Sequence, residues 1–152
     1  SKFSYARPVV YTLDPAYTKI QRKYIYRHIY DSRLSHVEHD IRLAIMSSVI
    51  HHMSDKHLNY ILGQLKDSQV KFVYVRDHDV NAKDVPRVQT LKEKHDEWND
   101  TTPTFYRERI HIIKLFNKYG YGLRSSAQLP RNQNRCFIYN HLFERKEKQQ
   151  QQ

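Results

Sequence analysis

The apolar positions of the chain change period several times, and each change marks a candidate element. Pro8-Val9-Val10-Tyr11-Thr12-Leu13 concentrates β-branched and aromatic side chains and reads as a short extended segment. It stops at Asp14-Pro15, where Asp as N-cap and Pro at the first helical position signal a helix start. Tyr17, Ile20, Tyr24 and His28 then recur at helical spacing, which predicts a helix over about 15–31. Ser35-His36-Val37-Glu38 has the form of a capping box, in which the Ser hydroxyl and the Glu carboxylate accept from each other's backbone N–H. Behind it Val37, Ile41, Ala44, Ile45, Val49 and Met53 form a broad apolar stripe, predicting a second helix over about 36–53. Ser54-Asp55 can cap a third, over about 55–66, on which Leu58, Ile61, Leu62 and Leu65 recur at three- and four-residue steps. Two helices joined by almost no loop would make an angular hairpin and supply much of the core.

After Asp67-Ser68 the period shortens: Val70, Phe72 and Tyr74 alternate with Lys71, Val73 and Val75, the clearest strand in the sequence. A strand needs partners for its backbone groups, and the candidates are 9–13 and 136–139. Residues 77–84 read as a polar loop, and Asp84 then precedes a helix carrying Val88, Leu91, His95 and Trp98. Thr102-Pro103 starts another, with Tyr106, Ile110, Ile113 and Phe116 on one face, closed by Gly120 in a position suited to a left-handed cap. The fold class this predicts is α+β and mostly helical, with about five helices, a minor two- or three-stranded β element and extended basic termini. No repeat or linker divides the chain, so a single domain over 1–152 is expected, with 1–14 and 121–152 as arms.

Composition narrows the chemistry. The chain has 39% hydrophobic residues, and its 12 Tyr outnumber its 6 Phe, a bias that suits surfaces where a ring is buried and its hydroxyl stays wet. The single Cys136 excludes an intramolecular disulfide and points to a reducing compartment. No apolar run approaches the roughly 20 residues that cross a bilayer, so contact with a membrane complex would be peripheral. Only 3 glycines are present, which argues against a phosphate-cradling loop and hence against a bound nucleotide; no cofactor is expected.

Charge is distributed unevenly. The net charge of +10 divides into +4 over residues 1–31, −1 over 32–100 and +7 over 101–152. Basic flanks around a neutral centre suit contact with a polyanion, RNA above all. On the first predicted helix Lys19, Lys23 and Arg27 fall at four-residue steps with Arg22 beside them, interleaved with Tyr24 and Tyr26. Such a face can follow phosphates while an aromatic ring stacks on a base. Arg124, Arg131 and Arg135 lie among Asn and Gln in the second basic stretch, where guanidinium groups can pair with phosphate. These nine residues are the candidate polyanion-binding set.

Ten histidines raise the question of a metal. His36, His39 and Asp40 sit together, His51-His52 follow at the far end of the same predicted helix, and Asp77-His78-Asp79 with Asp84 could gather carboxylates. A closed metal site needs four ligands and a catalytic one at least three; the His-Asp signal is weak by itself, and Asp77-His78-Asp79 with Asp84 reads as an acidic loop that caps the next helix, so no metal site is assigned. The segment 36–66 could also be a helix-turn-helix, though Lys56, Asn59, Gln64 and Lys66 offer few base contacts. Leu129-Pro130-Arg131-Asn132 and Asn134-Arg135-Cys136 resemble two elements of the fourteenth protein of the bacterial and organellar small ribosomal subunit. That family separates the elements and follows them with a basic segment; here they are nearly fused and no such segment follows.

The sequence is thus read as a non-catalytic structural subunit of a large ribonucleoprotein, an RNA-contacting component of a mitochondrial ribosome. Its partners would be RNA and neighbouring protein subunits, with no small-molecule substrate. The alternatives are an accessory subunit of a mitochondrial respiratory-chain or ATP-synthase complex and a metal-dependent nuclease or phosphohydrolase.

Overall fold

The computed structural model describes residues 9–12, 25–28, 41–80, 104–129 and 137–147, which fall in two compact units, 1–40 and 41–152. In the first unit β1 (Val9–Thr12) pairs in parallel with β2 (Ile25–His28), Val9 opposite Ile25. The extended segment anticipated at 8–13 is therefore β1. The helix anticipated over 15–31 is corrected at its end, because 25–28 form a strand.

In the second unit β3 (Leu43–Ser47), α1 (Asp55–Asp67), β4 (Phe72–Asp79), α2 (Arg109–Lys118), β5 (Tyr121–Leu129) and β6 (Phe137–Arg145) follow in chain order. Their sheet has the order β3-β4-β6-β5. β3 and β4 are parallel and joined through α1, whereas β6 is antiparallel to both β4 and β5. The mostly helical, five-helix expectation is overturned: among the described residues there are two α-helices and a four-stranded mixed sheet. The helix expected over 36–53 fails because Ile41 to Met46 is a nearly continuous apolar run. Parallel strands present apolar side chains on both faces, and such a run satisfies helical spacing equally well. With 43–47 in a strand, the helix-turn-helix reading lapses too. The helix expected after Asp84 lies outside the described residues. The basic C-terminal stretch, expected as an extended arm, supplies β5 and β6.

α1 forms where its sequence asks. The Ser54 hydroxyl accepts from the His57 N–H at 3.2 Å, and Leu58, Ile61, Leu62 and Leu65 are buried. Its last carbonyls are met by Arg145, whose guanidinium donates to Leu65, Lys66 and Ser68 at 2.7, 3.0 and 2.7 Å. α2 ends at Gly120, whose φ of 87° only glycine adopts without cost. Its buried residues are Ile112 and Phe116, while Ile110 is exposed, so the inward face is rotated from the one predicted.

The β4–β6 register fixes the core. Val73 lies opposite Phe143, Val75 opposite His141 and Asp77 opposite Tyr139, and all six are buried. Paired residues point to the same face of a sheet, so these form one buried surface. Phe116 of α2 stacks on Phe143 with centroids 4.1 Å apart.

Candidate functional site

Open α/β sheets bind ligands beyond the carboxyl ends of their parallel strands. The carboxyl ends of β3 and β4 are where polar groups collect in this chain. β3 stops at Ser48, a non-glycine residue with φ of 56° whose N–H donates to the Arg76 carbonyl at 2.8 Å. That left-handed conformation costs roughly 1 kcal/mol and turns the chain into a short 3₁₀ segment, Ile50–His52, with Ile50 and His51 buried. β4 ends in Asp77-His78-Asp79, and Asp77 is 3% exposed.

Asp77 is the centre of the cluster. Its Oδ1 accepts from His51 Nδ1 at 2.7 Å and from the His78 backbone N–H at 2.7 Å, and its Oδ2 accepts from the His51 backbone N–H at 3.2 Å. Burial pushes this carboxyl upward, but the hydrogen bond and charge of His51 outweigh it and hold the group below its ordinary value. An ionised Asp77 makes Nδ1 the protonated nitrogen of His51. The Tyr106 ring lies parallel to the His51 ring at 5.5 Å, and His78 stands edge-on to it at 5.2 Å.

A strap of residues 104–108 holds this turn in place. The Phe105 N–H donates to the His51 carbonyl. Arg107 donates to the carbonyls of Ile50 and Met53 at 3.1 and 2.7 Å and forks onto Asp55 Oδ1 at 3.0 and 2.8 Å. Next to the strap lies an open depression of about 340 Å³ lined by Asp79, Glu108, Arg109, Ile110 and Ile113, a volume that suits a small molecule. Asp79 also accepts from the Arg109 N–H at 3.1 Å, capping α2. Asp79 joins the two features: it lines the recess and directly follows Asp77-His78 at the end of β4, whereas His51, Asp77 and His78 themselves do not line it.

Of the nine residues singled out for polyanion binding, three are described. Arg124, at the bulge of β5, donates to Glu144 at 2.9 Å and lies over the Phe72 ring at 5.7 Å. Tyr26 and Arg27 belong to β2, which removes the helical face that Arg27 was to share with Lys19 and Lys23. Lys19, Arg22, Lys23, Tyr24, Arg131 and Arg135 lie outside the described residues, as do His36, His39, Asp40 and Asp84. Sequence reasoning had His51 and Asp77-His78 in separate groups and placed Tyr106 on a helix. One signal was available: Asp77 continues the parity of Val73 and Val75, a carboxylate on the inward side of a strand.

No protein-family model matches the sequence, and neither does any curated protein. Solved structures nonetheless share its fold. The magnesium protoporphyrin IX methyltransferase ChlM from Synechocystis PCC 6803, with bound SAH, superimposes with a TM-score of 0.55 at 10% identity, over 81% of this chain and 52% of its own. LepI in complex with SAM gives 0.66 at 12% identity, over 95% of this chain and 37% of its own. The 1,6-didemethyltoxoflavin-N1-methyltransferase of Burkholderia thailandensis gives 0.62 at 9% identity, over 93% and 62%. The chain thus spans about half or less of the length of the first two. At these identities the likeness is one of fold, the Rossmann-like methyltransferase fold.

This fold corrects the functional expectation. A non-catalytic ribosomal subunit, an accessory subunit of a respiratory or ATP-synthase complex and a metal-dependent nuclease are all overturned by likeness to enzymes solved with SAM or SAH. The expectation of RNA partners without a small-molecule substrate falls with them, since the toxoflavin enzyme holds 1,6-didemethyltoxoflavin. One part of the sequence reasoning bears on SAM itself. Gly63 lies in α1, Gly120 in the turn after α2 and Gly122 in β5, so the chain's three glycines form no cradle at the carboxyl ends of β3 and β4.

Proposed function

We propose that the chain acts as an S-adenosylmethionine-dependent methyltransferase of small molecules, with the edge around His51, Asp77 and His78 receiving the acceptor. The observation that carries this is the buried His51–Asp77 pair at the carboxyl ends of two parallel strands, beside a recess of small-molecule size. Asp77 fixes the tautomer and direction of His51, and Tyr106 covers one face of its ring. Ile110 and Ile113 offer apolar contact to the body of an acceptor, while Asp79, Glu108 and Arg109 offer polar contact at its rim.

Binding of SAH by calorimetry, followed by transfer of labelled methyl from SAM to a panel of small hydroxylated and amino acceptors, tests the reading. Saturable SAH binding and a labelled product are expected. Ile110→Lys, at an exposed lining position, should raise the acceptor KM and leave SAH affinity unchanged. A cooperatively folded chain that binds no SAH overturns the proposal.

A further inference from the structure

We infer that His51, Asp77 and His78 form a binding site for a single divalent transition-metal ion, with zinc as the species their donor set suits. Each residue offers one ligand atom, and these atoms all lie within 4.8 Å of one another. An ion held about 2 Å from each donor brings them to roughly 3–4 Å apart, so the 2.7 Å His51–Asp77 contact opens slightly while any wider spacing within the 4.8 Å closes. Two imidazoles with one carboxylate are the mixed nitrogen and oxygen set that zinc-like ions prefer, whereas magnesium and calcium favour oxygen throughout. Three protein ligands leave a coordination position open, as at catalytic and not at structural zinc sites.

The surroundings are those that orient metal ligands. Two backbone N–H groups fix the Asp77 carboxylate, the Tyr106 ring lies along the His51 imidazole, and the Phe105 N–H and Arg107 hold the turn that carries His51. The ion takes the place of the proton that His51 Nδ1 and Asp77 Oδ1 now share at 2.7 Å, and binding releases that proton. The second imidazole stands beside this pair, His78 edge-on to His51 at 5.2 Å. The choice of acceptor rests on the methyltransferase reading above: the open position would take a hydroxyl oxygen of the acceptor, aligning it and easing loss of its proton.

The chain, stripped with a chelator, is titrated with Co²⁺ by visible d–d absorption and with Zn²⁺ by calorimetry. Stoichiometric binding is expected in the wild type and in His57→Ala, a histidine at the exposed start of α1. Loss of binding is expected in Asp77→Asn and His78→Gln, with circular dichroism melts confirming that both fold. Should the buried Asp77→Asn fail to fold, His78→Gln at its half-buried position decides the matter. No stoichiometric binding in the wild type, or binding unchanged in His78→Gln, overturns the site. SAH binding is read on the same samples. A chain that binds SAH but takes up no metal on titration rejects the metal site and leaves the methyltransferase reading standing, and one that takes up metal but binds no SAH does the reverse.

Discussion

His141 is an imidazole set into an aromatic wall. It is fully buried, stacked on Tyr139 at 4.3 Å and edge-on to Phe143 at 5.7 Å, and neither ring nitrogen meets a hydrogen-bond partner among the described residues. Burial and the charge of Arg109, offset in part by the Asn140 backbone, push its pKa down to about 4 from the ordinary 6.5. The unfolded chain therefore takes up this proton near pH 6.5, while the folded chain resists it until about pH 4. Stability present above the first value is lost as pH falls toward the second, by about 3 kcal/mol. Urea midpoints measured from pH 7 to pH 4 should show that decline, and His141→Phe should remove its share of the slope. At this scale the Ser54 cap was legible, and so was the alternation over 70–75, though not that Val73 and Val75 are its buried set. What was not legible is contact across the chain, for His51 and Asp77 are brought together only by strand pairing.

Among elements, α1 and β4 could be read from the sequence because their signals are local. A cap, a four-residue apolar step and a two-residue alternation each need only their own neighbourhood. Ser54→Ala should therefore cost about 1 kcal/mol in a thermal or urea melt, since it removes one N-terminal acceptor from a helix otherwise packed through Leu58 and Leu62. β3 could not be read this way. Its Ile45 is 66% exposed and its Met46 is buried, a pattern set by pairing with Tyr74 and Val75 rather than by any period of its own. The strap at 104–108 was likewise hidden, because Arg107 acts on carbonyls more than fifty residues away. Arg107→Gln should destabilise by about 2–3 kcal/mol in urea titration. It should also weaken any ligand of His51, whose turn it holds.

For the molecule as a whole, part of the basic C-terminal flank that first suggested RNA has structural uses. Arg145 closes α1, Arg124 lies against Glu144, and Arg107 ties the strap to the His51 turn. Charge counted along a sequence does not reveal which cations are already engaged. Strand pairing was legible only in part: of the two candidate partners for the strand after Ser68, 136–139 holds the start of β6, which does pair with β4, whereas 9–13 holds β1, which pairs with β2. Phe143→Ala, which removes the ring that Phe116 stacks on, should cost about 3–5 kcal/mol, a large part of the stability of a domain this size. The same register has a consequence for the site. Asp77 comes from the parallel half of the sheet, and the Tyr139 opposite it from the antiparallel half. A strand that slips by one residue turns every side chain over. Deleting one residue between Asn140 and Phe143 would set the two halves out of step, so that Tyr139 and Phe143 could no longer both face the core. Reactivity at the His51 edge would then depend on the alignment of a hairpin that contributes none of the three ligands.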